Sequence, residues 1–161
     1  MSWKPIPIAA ILVAAGALAG AVQAHPGPGV FSSASATAGA GFVVNGSMTE
    51  TGLPAGSAVD FMWSSSMVVG MVCGPKTVTD RVGAITGTVS TTADDSGTAS
   101  ATFSITLPDL TCANGATPDP VKMIVRSVKM VDLTNHHRTE AHGWYISKDS
   151  KGITSATPFG G

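Results

Sequence analysis

Charge is scarce in this chain. Lys, Arg, Asp and Glu make up 12% of its 161 residues, with nine basic against ten acidic and a formal net charge of −1. So small and unclustered a balance leaves no basic footprint for nucleic acid, and no such partner is expected. Aromatic residues are 6% of the chain, and cysteine occurs twice. No Gly-rich loop follows a strand pattern to open a helix, so a nucleotide site is not supported. Ser, His and Asp are present but form no catalytic signature. The low charge is not the mark of disorder, because Val, Ile and aromatic residues recur in patterned runs.

What the chain does have begins at its start, "MSWKPIPIAAILVAAGALAGAVQA". One basic residue, Lys4, precedes an apolar run from about Ile6, and small residues close it. This is the layout of a secretory signal peptide. Val22-Gln23-Ala24 offers small residues at both recognition positions, and Ala19-Gly20-Ala21 and Ala17-Leu18-Ala19 also fit. Cleavage after Ala24 predicts a signal peptide at 1–24 and one domain at 25–161, of 137 residues. The predicted destination is secreted or periplasmic, with no membrane span left after cleavage. In that oxidising setting Cys73 and Cys112 are expected to form a disulfide. The alternative, a thiolate metal site, would need more ligands nearby.

The rest reads as strands. "SAVDFMWSS" (57–65) alternates, with Val59, Phe61 and Trp63 on one side and Asp60 and Met62 on the other; period two is the strand signal. "TASATFSITLP" (98–108) alternates too, with Ala99, Ala101, Phe103, Ile105 and Leu107 on one face. "RVGAITGTVSTTA" (81–93) is rich in residues that favour a pleated surface. The turn residues "DDSG" (94–97) between them predict a hairpin pairing 81–93 with 98–108. "SMVVGMVCGP" (66–75) reads as an irregular strand or covered loop, and "DLTCANGATPDP" (109–120) as loop. "VKMIVRSVKMVDL" (121–133) predicts one long strand, since its β-branched density and Pro120 outweigh its helix-forming Met and Lys. "TNHHRTEA" (134–141) is expected as a polar turn and "HGWYIS" (142–147) as a last strand. "FSSASATAGA" (31–40) is an edge strand or a loose arm, and the tail pairs briefly or dangles. Many short strands with turns at intervals predict an all-β antiparallel sandwich.

At "STTADDSGTASATFSITLP" (90–108), with "SAVDFMWSS" before it, the chain resembles the immunoglobulin-like sandwiches of secreted bacterial proteins. The neocarzinostatin-type apoproteins are similar in the same respect: a Gly-containing turn, a strand of alternating small and apolar residues, and a closing Leu-Pro. The resemblance implies an immunoglobulin-like sandwich. Those apoproteins carry a second disulfide that this chain lacks, so no chromophore site is carried over, and a fold does not fix a function.

Chemistry points to the histidines: His25, His136, His137 and His142. If cleavage follows Ala24, His25 is the new N-terminus, and its amine and ring Nδ1 can chelate one metal ion. A second imidazole from "HHRTEAH" (136–142) would complete a T-shaped set of three nitrogens, which suits Cu(II). Pro26 has no N–H, so the backbone nitrogen after His25 cannot compete as a ligand. This arrangement resembles the histidine brace of lytic polysaccharide monooxygenases and of copper carriers with an N-terminal histidine. The resemblance implies copper held by His25 and His142, with Glu140 or Tyr145 as a weak axial or supporting group, and His136 and His137 as alternative ligands. The methionines, Met67 and Met71 closest together, are soft donors or core filler. Two functions therefore remain open: an exported binding module that holds copper as carrier or sensor, and a non-catalytic structural or adhesive sandwich without a metal.

Overall fold

The computed structural model describes residues 29–152 and 154–160. Among them lie ten strands and no helix: β1 Val30–Ala38, β2 Val43–Thr51, β3 Ala58–Cys73, β4 Lys76–Thr92, β5 Ala99–Thr106, β6 Asp119–Val125, β7 Val128–Asp132, β8 Arg138–Ala141, β9 Gly143–Lys148 and β10 Thr154–Phe159. All pairings are antiparallel. The strands form a three-stranded sheet, β1-β2-β5, and a seven-stranded sheet in which β4 borders β3. In the larger sheet β6 and β7 lie end to end along β3, and β8 and β9 lie end to end along them. The inward residues of both sheets make one core, including Val44, Met48, Phe61, Phe103, Ile105, Met123 and Met130. The chain is thus the expected two-sheet, all-β sandwich.

The predicted hairpin of 81–93 with 98–108 does not form. β4 pairs with β3, and β5 pairs with β2. The "DDSG" turn is present, with Gly97 N–H donating to Asp94 O and Gly97 at φ 75°. The Asp94 carboxylate also accepts from the backbone N–H of Ser96 and of Thr98. This knot carries the chain across from one sheet to the other. The true hairpin turns at Gly74-Pro75, between paired Cys73 and Lys76. Gly74, at φ 66°, takes the first central position, where a tight hairpin needs glycine. So 57–75, read in two pieces, is one strand and a turn.

The stretch 121–133 is broken rather than continuous. Between the pairs Met67↔Val125 and Ser64↔Lys129, β3 advances three residues while its partner advances four. The extra residue, at Arg126-Ser127, reverses which side faces the core. Met123 and Val125 are buried before the break, and Val128, Met130 and Asp132 after it. Strict alternation therefore fails here. Arg138–Ala141, expected as turn, forms strand β8, and the tail pairs with β9 as β10.

Two stacked rings join the sheets. Phe103 and Trp63 lie 4.9 Å apart, 11° from parallel. Each covers a glycine on the neighbouring strand: Gly46 pairs with Phe103, and Gly87 with Trp63. Trp144 adds a polar link, its Nε1–H donating to Ala36 O at 2.9 Å.

The three-stranded sheet is shorter than β3, and the loop after β5 covers the rest. There Met71, Cys73 and Cys112 form a second buried cluster with Leu110 and Ala116 against it. The expected Cys73–Cys112 disulfide is present, with Cα atoms 5.7 Å apart. Closing a loop of this length stabilises the fold by about 2–4 kcal/mol.

A Cβ at Gly46 would stand 2.0 Å from Phe103 Cζ, and one at Gly87 2.6 Å from Trp63. Overpacking a filled core costs ~1–3 kcal/mol. Gly46→Ala is expected to lower the urea midpoint clearly, and more than Gly87→Ala on the exposed outer lane. Equal, negligible effects would contradict the stacked arrangement.

Candidate functional site

Two charged residues are fully buried, Glu50 and Asp132. They come from different sheets. Glu50 lies near the end of β2, on the inward phase of Val44 and Met48. Asp132 ends β7, on the inward phase of Val128 and Met130. His137 follows in the β7–β8 turn and points back: its Nδ1 donates to Glu50 Oε1 at 2.9 Å. One ligand atom from each of Glu50, Asp132 and His137 lies within 4.8 Å of the others.

The turn is built to hold them. Asp132 N–H donates to His137 O at 2.9 Å, closing the loop. Asp132 Oδ1 accepts from the N–H of Thr134 at 2.6 Å and of Asn135 at 3.1 Å. Its Oδ2 accepts from the Asn135 side-chain amide at 2.5 Å. Between them His136 adopts φ 63°, the one non-glycine residue with positive φ among the described residues. That conformation costs ~1–2 kcal/mol. It turns His136 out to solvent and lets His137 face in.

Burial pushes the Glu50 carboxyl up, and its hydrogen bond with the Asp132 carboxylate pushes it further. His137 pulls the other way, and the outcome is a pKa of about 7. Burial acts to raise Asp132 as well, but hydrogen bonds from Glu50, Asn135 and the backbone of Asn135 and Thr134 hold it below the ordinary carboxylate range. Below that value the pair therefore shares one proton, carried on Glu50, because two buried carboxylates side by side resist being charged together. Glu50 Oε2 is buried and meets no hydrogen-bond donor among the described residues; Ser57 Oγ is the other such atom.

Gly29 passes against the site. A Cβ there would lie 2.3 Å from Glu50 Oε1 and 2.6 Å from Leu53. Only glycine lets the chain pass this close.

The proposed histidine ligands are spread differently. His25 lies outside the described residues. His137 belongs to the buried cluster. His136 is exposed and lines an open groove with Lys129, Arg138 and Glu140. His142 is exposed at the break between β8 and β9, where its Nδ1 donates to Gly160 O. Tyr145 is exposed on β9. Met48, Met67, Met71, Met123 and Met130 are buried in the two apolar clusters. Sequence reasoning missed Glu50 and Asp132. For Glu50 the signal was available, because it shares the phase of Val44 and Met48 and an acid on the inward phase of a strand is rare unless it is partnered.

No protein-family model and no curated protein matches the chain. Among solved structures, the chain is similar to Spo0M, a sporulation control protein from Bacillus subtilis, at 10% identity and a TM-score of 0.29. The match covers 81% of this chain and 46% of that one, so the chain spans less than half of its length. At that score the likeness carries no argument about fold type or function. Among the described residues no helix is long and apolar enough to cross a membrane.

The shared proton makes stability depend on pH. With Glu50 raised from 4.5 to about 7, the folded chain keeps a proton that the unfolded chain has lost across that interval. Stability is full below the lower value, falls as pH rises through the interval, and is level above it. The fall is about 3 kcal/mol. Urea unfolding in chelator-containing buffer at pH 4.5 and pH 7.5 measures it, and Glu50→Gln should flatten the difference. An unchanged slope in that variant would assign the dependence elsewhere.

Proposed function

We propose that this chain is a small exported binding module that holds copper through an N-terminal His25. The reading takes 1–24 as a cleaved signal peptide and the domain as a secreted or periplasmic sandwich of the immunoglobulin type. The strand order supports that type. The first, second and fifth strands face a sheet built on the third strand and the two later lanes, the A-B-E against C-F-G division of such folds, with the fourth strand carried beside the third. The Cys73–Cys112 bond is consistent with an oxidising compartment.

One observation carries the copper reading: the path of the chain at Gly29. Gly29 lies against Glu50, and Glu50 Oε1 accepts from His137. Gly29 is four positions after His25, with Pro26, Gly27 and Pro28 between them. Each residue spans at most ~3.6 Å, so the covalent tether keeps the two Cα atoms within about 14 Å. Of the late histidines, His137 is the one whose partner Gly29 touches, which favours it over His136 and His142 as the second imidazole. The amine and ring of His25 with the ring of His137 form the three-nitrogen set that suits Cu(II).

A second reading, a structural or adhesive sandwich, is favoured by the outer face of the small sheet. Hydroxyls pair across its strands there, Ser35 with Ser47 at 2.8 Å and Thr49 with Ser100 at 3.1 Å, and Ser104 donates to Asn45 at 2.7 Å.

Intact mass of the exported chain, followed by Cu(II) titration, separates the two. The expected result is a chain starting at His25 that binds one Cu(II). His25→Ala and His137→Ala should each weaken binding at least tenfold, and His142→Ala should not. A mature chain starting upstream of His25, or copper affinity indifferent to His25→Ala, defeats the copper reading.

A further inference from the structure

We propose that Glu50, Asp132 and His137 form a site for a first-row divalent cation, with ligands supplied from both sheets. The proposal shares His137 with the copper reading but needs neither His25 nor a free amine. It is carried by a separate observation, the buried oxygen without a donor.

One ligand pair already has the spacing of a coordination sphere, and the third ligand lies within reach of it. Ligands ~2.1 Å from a zinc-like ion lie about 3.0 Å apart at a right angle and about 3.4 Å apart in a tetrahedron. His137 Nδ1 and Glu50 Oε1 are 2.9 Å apart, and all three ligand atoms fall within 4.8 Å. Ligands so close need little movement to close on one ion.

The polar inventory also leaves a place for an occupant. Glu50 is fully buried, and its Oε2 meets no donor among the described residues. A buried carboxylate oxygen facing a second carboxylate must be neutralised by a proton or by a cation. The proton satisfies the pair at minimum. A dication satisfies both acids and the imidazole at once, replacing the proton and the Nδ1–H bond.

The surroundings orient the ligands as supporting shells of metal sites do. Asp132 Oδ1 takes two backbone N–H groups and is filled. Oδ2 takes one amide N–H and keeps a lone pair. His137 is placed by the turn that Asp132 itself closes. Two carboxylates with one imidazole suit Zn(II) or Mn(II) better than Cu(I), which prefers sulfur, or Ca(II), which prefers oxygen alone. Three protein ligands leave positions open for water or a substrate oxygen. Gly29 lies over Glu50 and presents no side chain there.

The test uses the full exported chain, stripped with chelator and dialysed. Zn²⁺ alone, then Mn²⁺ alone, is titrated by calorimetry into wild type, His25→Ala, Glu50→Gln and His137→Gln. Melting temperature is read with and without the ion. One ion per chain is expected in wild type and in His25→Ala, with a raised melting temperature. Glu50→Gln and His137→Gln should each bind at least tenfold more weakly and lose the thermal shift. Because His137 is half-buried, its Gln variant gives the same reading should the Glu50 variant not fold. No binding of either ion by wild type overturns the proposal, as does wild-type affinity in both ligand variants. Loss of Zn²⁺ binding in His25→Ala would also overturn it, since the amine would then be required. Zn²⁺ bound without Cu²⁺ would retire the copper reading and leave this site standing.

Discussion

A carboxylate sealed between two sheets sets the terms for one end of this molecule. Glu50 has no exposed surface, and the strand that carries it cannot turn it outward without moving Val44 and Met48 out of the core. Its neighbours follow from that. Asp132 must lie close enough to share a proton, and His137 must face in to donate. His136 must accept a left-handed backbone so that His137 can do so. The chain at Gly29 must lack a side chain. Each of these choices is unfavourable or unremarkable alone. Together they make sense only as accommodation of one buried acid, and such local conflicts with the rules of folding concentrate where a protein has work to do.

Much of the fold was legible from period two. Val59, Phe61 and Trp63 do share the inward side of β3, and Ala99 to Ile105 alternate without a fault. These runs are half-buried strands, in which burial is decided residue by residue and leaves its trace in the sequence. The disulfide was legible from count and setting. The pairing of strands was not. Asp94 and Gly97 make a turn whether the strands beyond it return side by side or part to opposite sheets, and local turn chemistry does not distinguish the two. The partner of β4 was decided instead by Gly74-Pro75, nearly twenty residues upstream.

The site was harder to read because its clues were out of phase. A single alternation over 121–133 puts Met123 and Val125 on the face opposite Val128 and Met130, yet all four are buried. One extra residue at Arg126-Ser127 reverses the faces, and the neighbouring lane, with Ala141 paired to Val128 and Trp144 to Val125, follows the same break. Only with the break known does Asp132 fall on the inward side. His137 suffers likewise, since "NHHRTE" is what a solvated turn looks like until the positive φ at His136 sends its two rings apart. Composition located the histidines, and a backbone irregularity selected among them.

The disulfide belongs to the other end of the same strand. Phe61, which pairs with Asp132, and Cys73 are twelve residues apart along β3. At ~3.3 Å per residue that is about 40 Å of extended chain. At the Cys73 end the small sheet has run out, and a loop pinned by Cys112, with Leu110 beneath it, closes the core instead. A covalent tie suits that end, because a loop has no ladder of backbone bonds to hold it down. At the Glu50 end both sheets are present, and a polar group that binds and releases a proton joins them. The permanent fastening thus lies where a loop closes the core, and the exchangeable one lies where both sheets meet beside Gly29.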